Sequence, residues 1–216
     1  MKKTPIIHVV DDDESFQVAI GRLLKAAGYE VQSYVDVGNF LLANFDGAPG
    51  CILLDVRMPG VSGLDLQEAL AMRSETLPVI FLSGYGDIPS TVRAMRAGAI
   101  DFLTKPVQRE TLLNAIQNAL ASDARERVLR EQMKNWRSCY ASLTEREQEV
   151  FKRVIAGKMN KEIAGELSAA ERTIKAHRAQ VMKKMQAASL AELVHIGDQL
   201  QAGQAHPAGY SHRLSA

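Results

Sequence analysis

The stretch IIHVVDDDESFQVAIGRLLKAA, residues 6–27, changes its period in the middle. Residues 6–10 form a β-branched, apolar run interrupted only by His8. Beyond it Phe16, Ala19, Ile20, Leu23, Leu24 and Ala27 recur at helical spacing. A strand followed directly by an amphipathic helix is the repeating unit of a parallel sheet. The alternation then recurs: YEVQSYV (29–35) precedes NFLLANF (39–45), and CILLDV (51–56) precedes LDLQEALAMR (64–73). PVIFLS (78–83) precedes STVRAMRAG (90–98), and AIDFLT (99–104) leads to a helix opening near Gln108. Five such units, apolar on both strand faces, predict an α/β fold: a doubly wound five-stranded parallel sheet with helices on both sides.

The remainder of the chain has a different character. From Val107 to Ala156 there is no Pro or Gly, so one long helix, or two in near succession, is expected across the middle. Leu129, Met133, Trp136 and Tyr140 recur at i, i+4, i+7 and i+11, a seam for packing on a neighbouring domain or on a second helix. In LTERE, Thr144 and Glu147 have the spacing of a capping box, and Gly157 suits the end of that helix. Helices are expected at 160–167, about 170–186 and 189–200. The expected division is a domain over 1–121, a helical linker over 122–142, a second, all-α domain over 143–200, and a disordered tail over 201–216.

At 216 residues the chain can hold two domains, and its 46% hydrophobic and 24% charged composition is that of an ordinary globular protein. No apolar run approaches the roughly 20 residues needed to span a bilayer, and the start has no signal-peptide core. The expectation is a cytoplasmic protein with no membrane partner. Cys51 and Cys139 stand far apart without a CxxC pattern, which argues against zinc and a disulfide framework. Residues 1–122 carry 10 Lys/Arg against 14 Asp/Glu, and residues 123–216 carry 16 against 11. An anionic partner therefore suits the second half better.

In a doubly wound sheet, ligands bind beyond the carboxyl ends of the strands. The polar residues at those ends are Asp11 and Asp12 after the first strand, Asp55 after the third, Ser83 after the fourth and Lys105 after the fifth. Clustered carboxylates require a cation, and an oxygen-only donor set selects Mg²⁺, or Mn²⁺ in its place, over zinc. Mg²⁺ keeps phosphate oxygens in its shell, while Lys105 and Ser83 offer a charge and a hydroxyl to a phosphoryl group. Asp55 is then a carboxylate nucleophile. Asp13 is read differently, as an acid at the start of the first helix. SGYGD (83–87) lacks the third glycine of a dinucleotide fingerprint, so no such site is expected.

VVDDDES, LLDVRMPGVSGLDL, FLSGYGD and AIDFLTKP together resemble the receiver domain of two-component response regulators, over residues 5 to about 121. That resemblance implies a flavodoxin-like sheet of order 2-1-3-4-5, with Asp55 phosphorylated by a sensor histidine kinase. Asp12 would hold Mg²⁺ directly, Asp11 would do so through water, and the Arg57 main-chain carbonyl would be a further ligand. Ser83 and Phe102 match the switch pair, Lys105 the phosphate-binding lysine, and Lys105–Pro106 a cis bond. Such a protein catalyses nothing beyond its own phosphorylation and dephosphorylation. Phosphorylation would favour a homodimer through the surface at about 87–104. Pro59-Gly60 fits the centre of a type II turn. A phosphohydrolase of the haloacid-dehalogenase type is disfavoured, because DVR puts Arg57 where that class has a second carboxylate. DNA binding independent of phosphorylation is the other alternative.

The paired helices near 160–167 and 170–186 have helix-turn-helix proportions. On the second, Ile174, His177, Val181 and Met185 share a core-facing stripe, while Arg172, Ala176, Ala179 and Lys183, flanked by Lys175 and Gln180, share the opposite one. Small residues at 176 and 179 permit close approach to base edges, and the basic ones reach guanines or phosphates. Residues 143–197, above all NKEIA and RTIKAH, resemble the LuxR-type DNA-binding domain of the NarL/FixJ regulators. The resemblance implies a transcription factor on double-stranded promoter DNA that meets RNA polymerase. It departs in the turn, where Ser168 stands in place of Gly, Ala169 in place of Ile, and Ala170 in place of a capping Ser.

Overall fold

The structure is a computed structural model that describes residues 4–43, 47–71, 77–84 and 88–205. It divides into two compact units at the Arg127–Val128 bond. The first contains β1 (Ile6–Val10), α1 (Glu14–Ala26), β2 (Glu30–Tyr34), α2 (Val37–Leu42), β3 (Gly50–Asp55), α3 (Gly63–Ala71), β4 (Val79–Ser83), α4 (Ile88–Arg96) and β5 (Asp101–Thr104). It closes with the first part of α5 (Arg109–Ala141), a single helix of 33 residues. The stretch from 122 to 141 is therefore a continuation of the first unit's last helix rather than a separate element.

All strand pairings are parallel, in the order β2-β1-β3-β4-β5. β3 and β4 are buried at every position, as expected of central strands whose residues face helices on both sides. β2 departs from the expectation of a strand apolar on both faces: it is an edge strand, and most of it is exposed. Phe40 of α2, Leu66 of α3 and Ala94 of α4 cover one face, against Val10, Ile52, Leu54 and Phe81. Ile20 and Leu24 of α1, with Leu112 and Ile116 of α5, cover the other, against Ile7, Val9, Leu53 and Leu82. Alternate residues of one strand thus feed two separate cores.

The second unit contains the rest of α5, then α6 (Glu145–Ile155), α7 (Asn160–Glu166), α8 (Glu171–Lys184) and α9 (Leu190–Ala205). Its core is built from Val150, Phe151, Val154, Ile163, Ile174, Val181, Met185, Leu193 and Ile196. Met133, Trp136 and Tyr140 pack against it, so the α5 seam serves this domain, but Leu129 lies 61% exposed and takes no part. The capping box forms as expected, with Glu147 N–H on the Thr144 hydroxyl and Thr144 N–H on the Glu147 carboxylate. α6 ends in a Schellman motif, with Gly157 N–H on Val154 O and Lys158 N–H on Arg153 O. α9 runs to Ala205, so the first five residues of the expected tail are helical, and residues 206–216 lie outside the described ones.

The turn between α7 and α8 bears out the departures seen in the sequence. Ser168 has φ 48°, the left-handed region that glycine enters freely and L-residues enter at a cost of roughly 1–2 kcal/mol. Ala170 is the N-cap of α8 and makes no side-chain cap hydrogen bond. Ser168→Gly and Ala170→Ser are each expected to stabilise the second unit by about 1 kcal/mol. Trp136, the chain's one tryptophan, packs on that unit's core and reports the change in urea unfolding by fluorescence.

Candidate functional site

Because the strands are parallel and in register, the ends of β1, β3, β4 and β5 share one edge of the sheet. Asp11 follows β1, Asp55 ends β3, Ser83 ends β4 and Lys105 follows β5 by one residue. The Lys105 ammonium donates to Asp11 Oδ2 at 2.6 Å and to Asp55 Oδ1 at 2.7 Å. Its main-chain N–H donates to Ser83 O at 2.8 Å, and the Lys105–Pro106 bond is cis. The other oxygens are held from their own loops: Asp13 N–H reaches Asp11 Oδ1 at 3.0 Å, and Arg57 N–H reaches Asp55 Oδ2 at 2.6 Å. Phe16 of α1 lies under the ammonium, 4.2 Å from ring centroid to Nζ.

Asp11 and Asp55 are 1% and 6% exposed, and burial raises the Asp11 pKa although Lys105 and the Asp13 N–H oppose the rise. Burial alone would lower the Lys105 pKa, but its hydrogen bonds to the two carboxylates carry it above its usual value. Asp12 is exposed beside this pair, and Asp13 is the N-cap of α1, accepting Phe16 N–H at 3.0 Å. The three adjacent aspartates therefore have three different surroundings. Ser83 is buried at the end of β4. Phe102 of β5 is half-buried against Phe81, with ring centroids 6.0 Å apart.

Two glycines shape the loop after β3. Gly60 has φ 84°, as the second central residue of a type II turn requires. Gly63 opens α3, and a Cβ there would lie 2.1 Å from Asp55 O, so no larger residue lets the helix pack against the loop.

The donor set suits a hard divalent cation. Among the described residues no three carboxylate, imidazole or thiolate side chains form a ready metal cage. Mg²⁺ needs only one or two carboxylates, the rest of its shell being water, carbonyl or phosphate oxygen. Asp11, Asp12 and Asp55 against Lys105 leave two negative charges in excess, enough for one such ion.

In the second unit the face of α8 carrying Arg172, Lys175, Ala176, Ala179, Gln180 and Lys183 is exposed, while Ile174, Val181 and Met185 are buried and His177 is half-buried. Two side chains hold this helix through contacts that the sequence did not reveal. Lys184 Nζ donates to Glu147 Oε2 at 2.6 Å and Ser142 O at 3.2 Å, and Arg178 donates to Asn160 Oδ1 at 3.0 Å. The Lys184 ammonium, then the Thr144 N–H, hold the Glu147 carboxyl below its usual range. Glu147 is thus both cap and anchor, and a capping motif announces only the first role. Arg146 braces the unfavourable turn by donating to Leu167 O at 2.6 Å.

A family model described as response regulator receiver domain matches residues 7–117, and one described as bacterial regulatory proteins, luxR family, matches residues 141–196. The chain belongs to the FixJ-like response regulators. It is 43% identical over 196 residues to response regulator protein TmoT of Ectopseudomonas mendocina, covering 91% of this chain and 89% of the relative. It is 38% identical over 190 residues to transcriptional regulatory protein FixJ of Azorhizobium caulinodans, covering 88% and 90%. Among solved structures, response regulator StyR is 45% identical with a TM-score of 0.77, covering 91% of this chain and 99% of that one. Full-length FixJ from B. japonicum is 35% identical with a TM-score of 0.54, covering 93% and 98%. As a response regulator the chain joins a two-component receiver to a DNA-binding domain that regulates transcription. No helix among the described residues is long and apolar enough to cross a membrane.

Lys105 is the ammonium shared by two nearly buried carboxylates, so Lys105→Met is expected to destabilise the receiver by about 3 kcal/mol at pH 7. Asp11 has a raised pKa, so its charge opposes folding above that pKa and the opposition disappears as pH falls. Urea titrations at pH 7 and pH 4 are expected to show the gap between variant and wild type narrowing in acid.

Proposed function

We propose that Asp55 accepts a phosphoryl group from a sensor histidine kinase and that Ser83 and Lys105 serve the resulting aspartyl-phosphate. The observation that carries this reading is the Asp55 carboxylate, buried at the end of a central strand with one oxygen on an ammonium and the other on a main-chain N–H. An anionic nucleophile held this way stays oriented towards an incoming phosphorus, and Lys105 can transfer its hydrogen bond from carboxylate to phosphoryl oxygen. Asp11, Asp12, Asp55 and the Arg57 carbonyl would hold Mg²⁺, or Mn²⁺ in its place. When bound, the ion neutralises charge on the transferring group. The side chains promote only the protein's own phosphorylation and dephosphorylation.

Ser83 and Phe102 carry the change outward in this reading. The phosphoryl group draws the Ser83 hydroxyl, and Phe102 follows it. α4 then serves as the homodimer face. Ile88, Val92 and Met95, spaced i, i+4 and i+7, are 78%, 42% and 46% exposed, an apolar stripe that a second copy would cover. Dimerisation brings two α8 helices to two half-sites of double-stranded promoter DNA, with Arg172, Lys175, Ala176, Ala179 and Lys183 at the duplex. RNA polymerase is the remaining partner, and the cytoplasm is where kinase and promoter are both within reach.

With acetyl phosphate and Mg²⁺, wild type is expected to gain one label on Asp55, detected by intact mass and peptide mapping. Asp55→Asn and Asp12→Ala are expected to gain none, while Asp13→Ala labels normally and loses only some helix stability. Equal labelling of Asp55→Asn would overturn the assignment. For the DNA face, Lys183→Met is expected to reduce the slope of log affinity against log salt by about 1, on a duplex that wild type selects from a random library. An unchanged slope would remove Lys183 from the phosphate contacts.

A further inference from the structure

The buried apolar positions of α5 in the first unit are Leu112, Ala115, Ile116 and Ala119, a continuous stripe. Four and eight residues further along the same face stand Asp123 and Arg127, where two more apolar residues would ordinarily complete the packing. Asp123 is 0% exposed. Its Oδ2 accepts Gly50 N–H at 3.1 Å and Arg127 Nε–H at 2.6 Å. The two Nη groups of Arg127 donate to Gly47 O at 2.7 Å and Ala48 O at 2.6 Å. The last turns of α5 in this unit are therefore tied by charge-assisted hydrogen bonds to the main chain of residues 47–50.

Three features make this tie more than local stability. Gly50 pairs with Ile6 of β1 in the sheet, so close that a Cβ there would lie 2.2 Å from Ile6 O, and the latch is thus fastened to the sheet itself. Gly50 is also the first residue of β3 and Asp55 the last, so one six-residue strand, roughly 17 Å long, joins the latch to the carboxylate site. The boundary between the units falls directly after Arg127. Apolar contacts tolerate small slides of a helix, whereas a guanidinium fork on two carbonyls and a carboxylate is satisfied in one geometry only.

We propose that Asp123 and Arg127 are positioning residues for signal output: they fix where α5 leaves the receiver, so that the state of Asp55 reaches the DNA-binding unit. The proposal rests on Asp55 being the phosphoacceptor. Without the latch, the apolar packing of α5 on the first unit ends at Ala119 and Leu120, and a change in the receiver no longer sets the direction of the helix that follows.

The test uses full-length wild type, Asp123→Asn, Arg127→Gln and Arg127→Lys, with a duplex that wild type selects from a random library. Each variant is expected to label Asp55 from acetyl phosphate within about twofold of the wild-type rate, and to bind DNA unphosphorylated within about twofold of wild type. The gain in DNA affinity on phosphorylation is expected to fall at least about fivefold in Asp123→Asn and Arg127→Gln. Arg127→Lys, which keeps the charge but not the fork, is expected to fall between them and wild type. Hydrogen exchange of the amides at 121–128 and Gly50 should accelerate in step. An unchanged gain despite lost protection would overturn the proposal. An equal loss of DNA affinity in both phosphorylation states would overturn it too, by reducing the pair to a structural role. Arg127 lies partly exposed, so its variants carry the test if Asp123→Asn does not fold. If wild type itself takes no label on Asp55, the phosphoacceptor reading fails before any variant is compared.

Discussion

Two buried carboxylates at the edge of a parallel sheet repel each other, and the first unit is organised around the ammonium that lets them coexist. Lys105 reaches Asp11 and Asp55 within 2.7 Å, and its own main chain is tied to Ser83. The arrangement leaves an excess of negative charge that a divalent cation or a change at Asp55 can act on. A site fully compensated by its own side chains would be inert. The strand order matters because β1, β3, β4 and β5 are consecutive neighbours, so residues far apart in the chain end on one edge.

Most of this was legible in the sequence. Strand ends are marked by a change from apolar to polar residues, and a parallel sheet places all its carboxyl ends together, so the sequence alone puts Asp11, Asp55, Ser83 and Lys105 at one edge. The sequence also sets Asp13 apart at the start of α1, where it caps the helix, but it does not tell Asp11 from Asp12. Asp11 is buried and Asp12 exposed because of how the backbone leaves β1, which no period reveals. The sequence reads all five strands as apolar on both faces, but the edge position of β2 exposes most of it. The continuous α5 was one of two options, since the absence of Gly and Pro permits a long helix without requiring one.

The second unit shows another limit. The faces of α8 follow from its 3.6-residue period, and the exposed and buried sets match it. The polar anchors do not follow from period at all. Glu147 and Lys184 are 37 residues apart, and Asp123 and Gly50 are 73 apart. Each such residue had a sufficient local explanation, as a helix cap or a solvated charge. α8 rests on an uncapped alanine and a serine with positive φ, and Arg146 and Lys184 supply from a distance what the turn itself lacks.

The contacts of Lys105 span 94 positions to Asp11 and 50 to Asp55. A ribosome therefore makes the carboxylates long before the residue that completes them. Until position 105 has left the exit tunnel, Asp55 is an aspartate without its ammonium partner, and a prematurely terminated product ending between positions 55 and 105 carries both acidic residues but no site. The cluster is complete only with the residue that follows the last strand of the sheet.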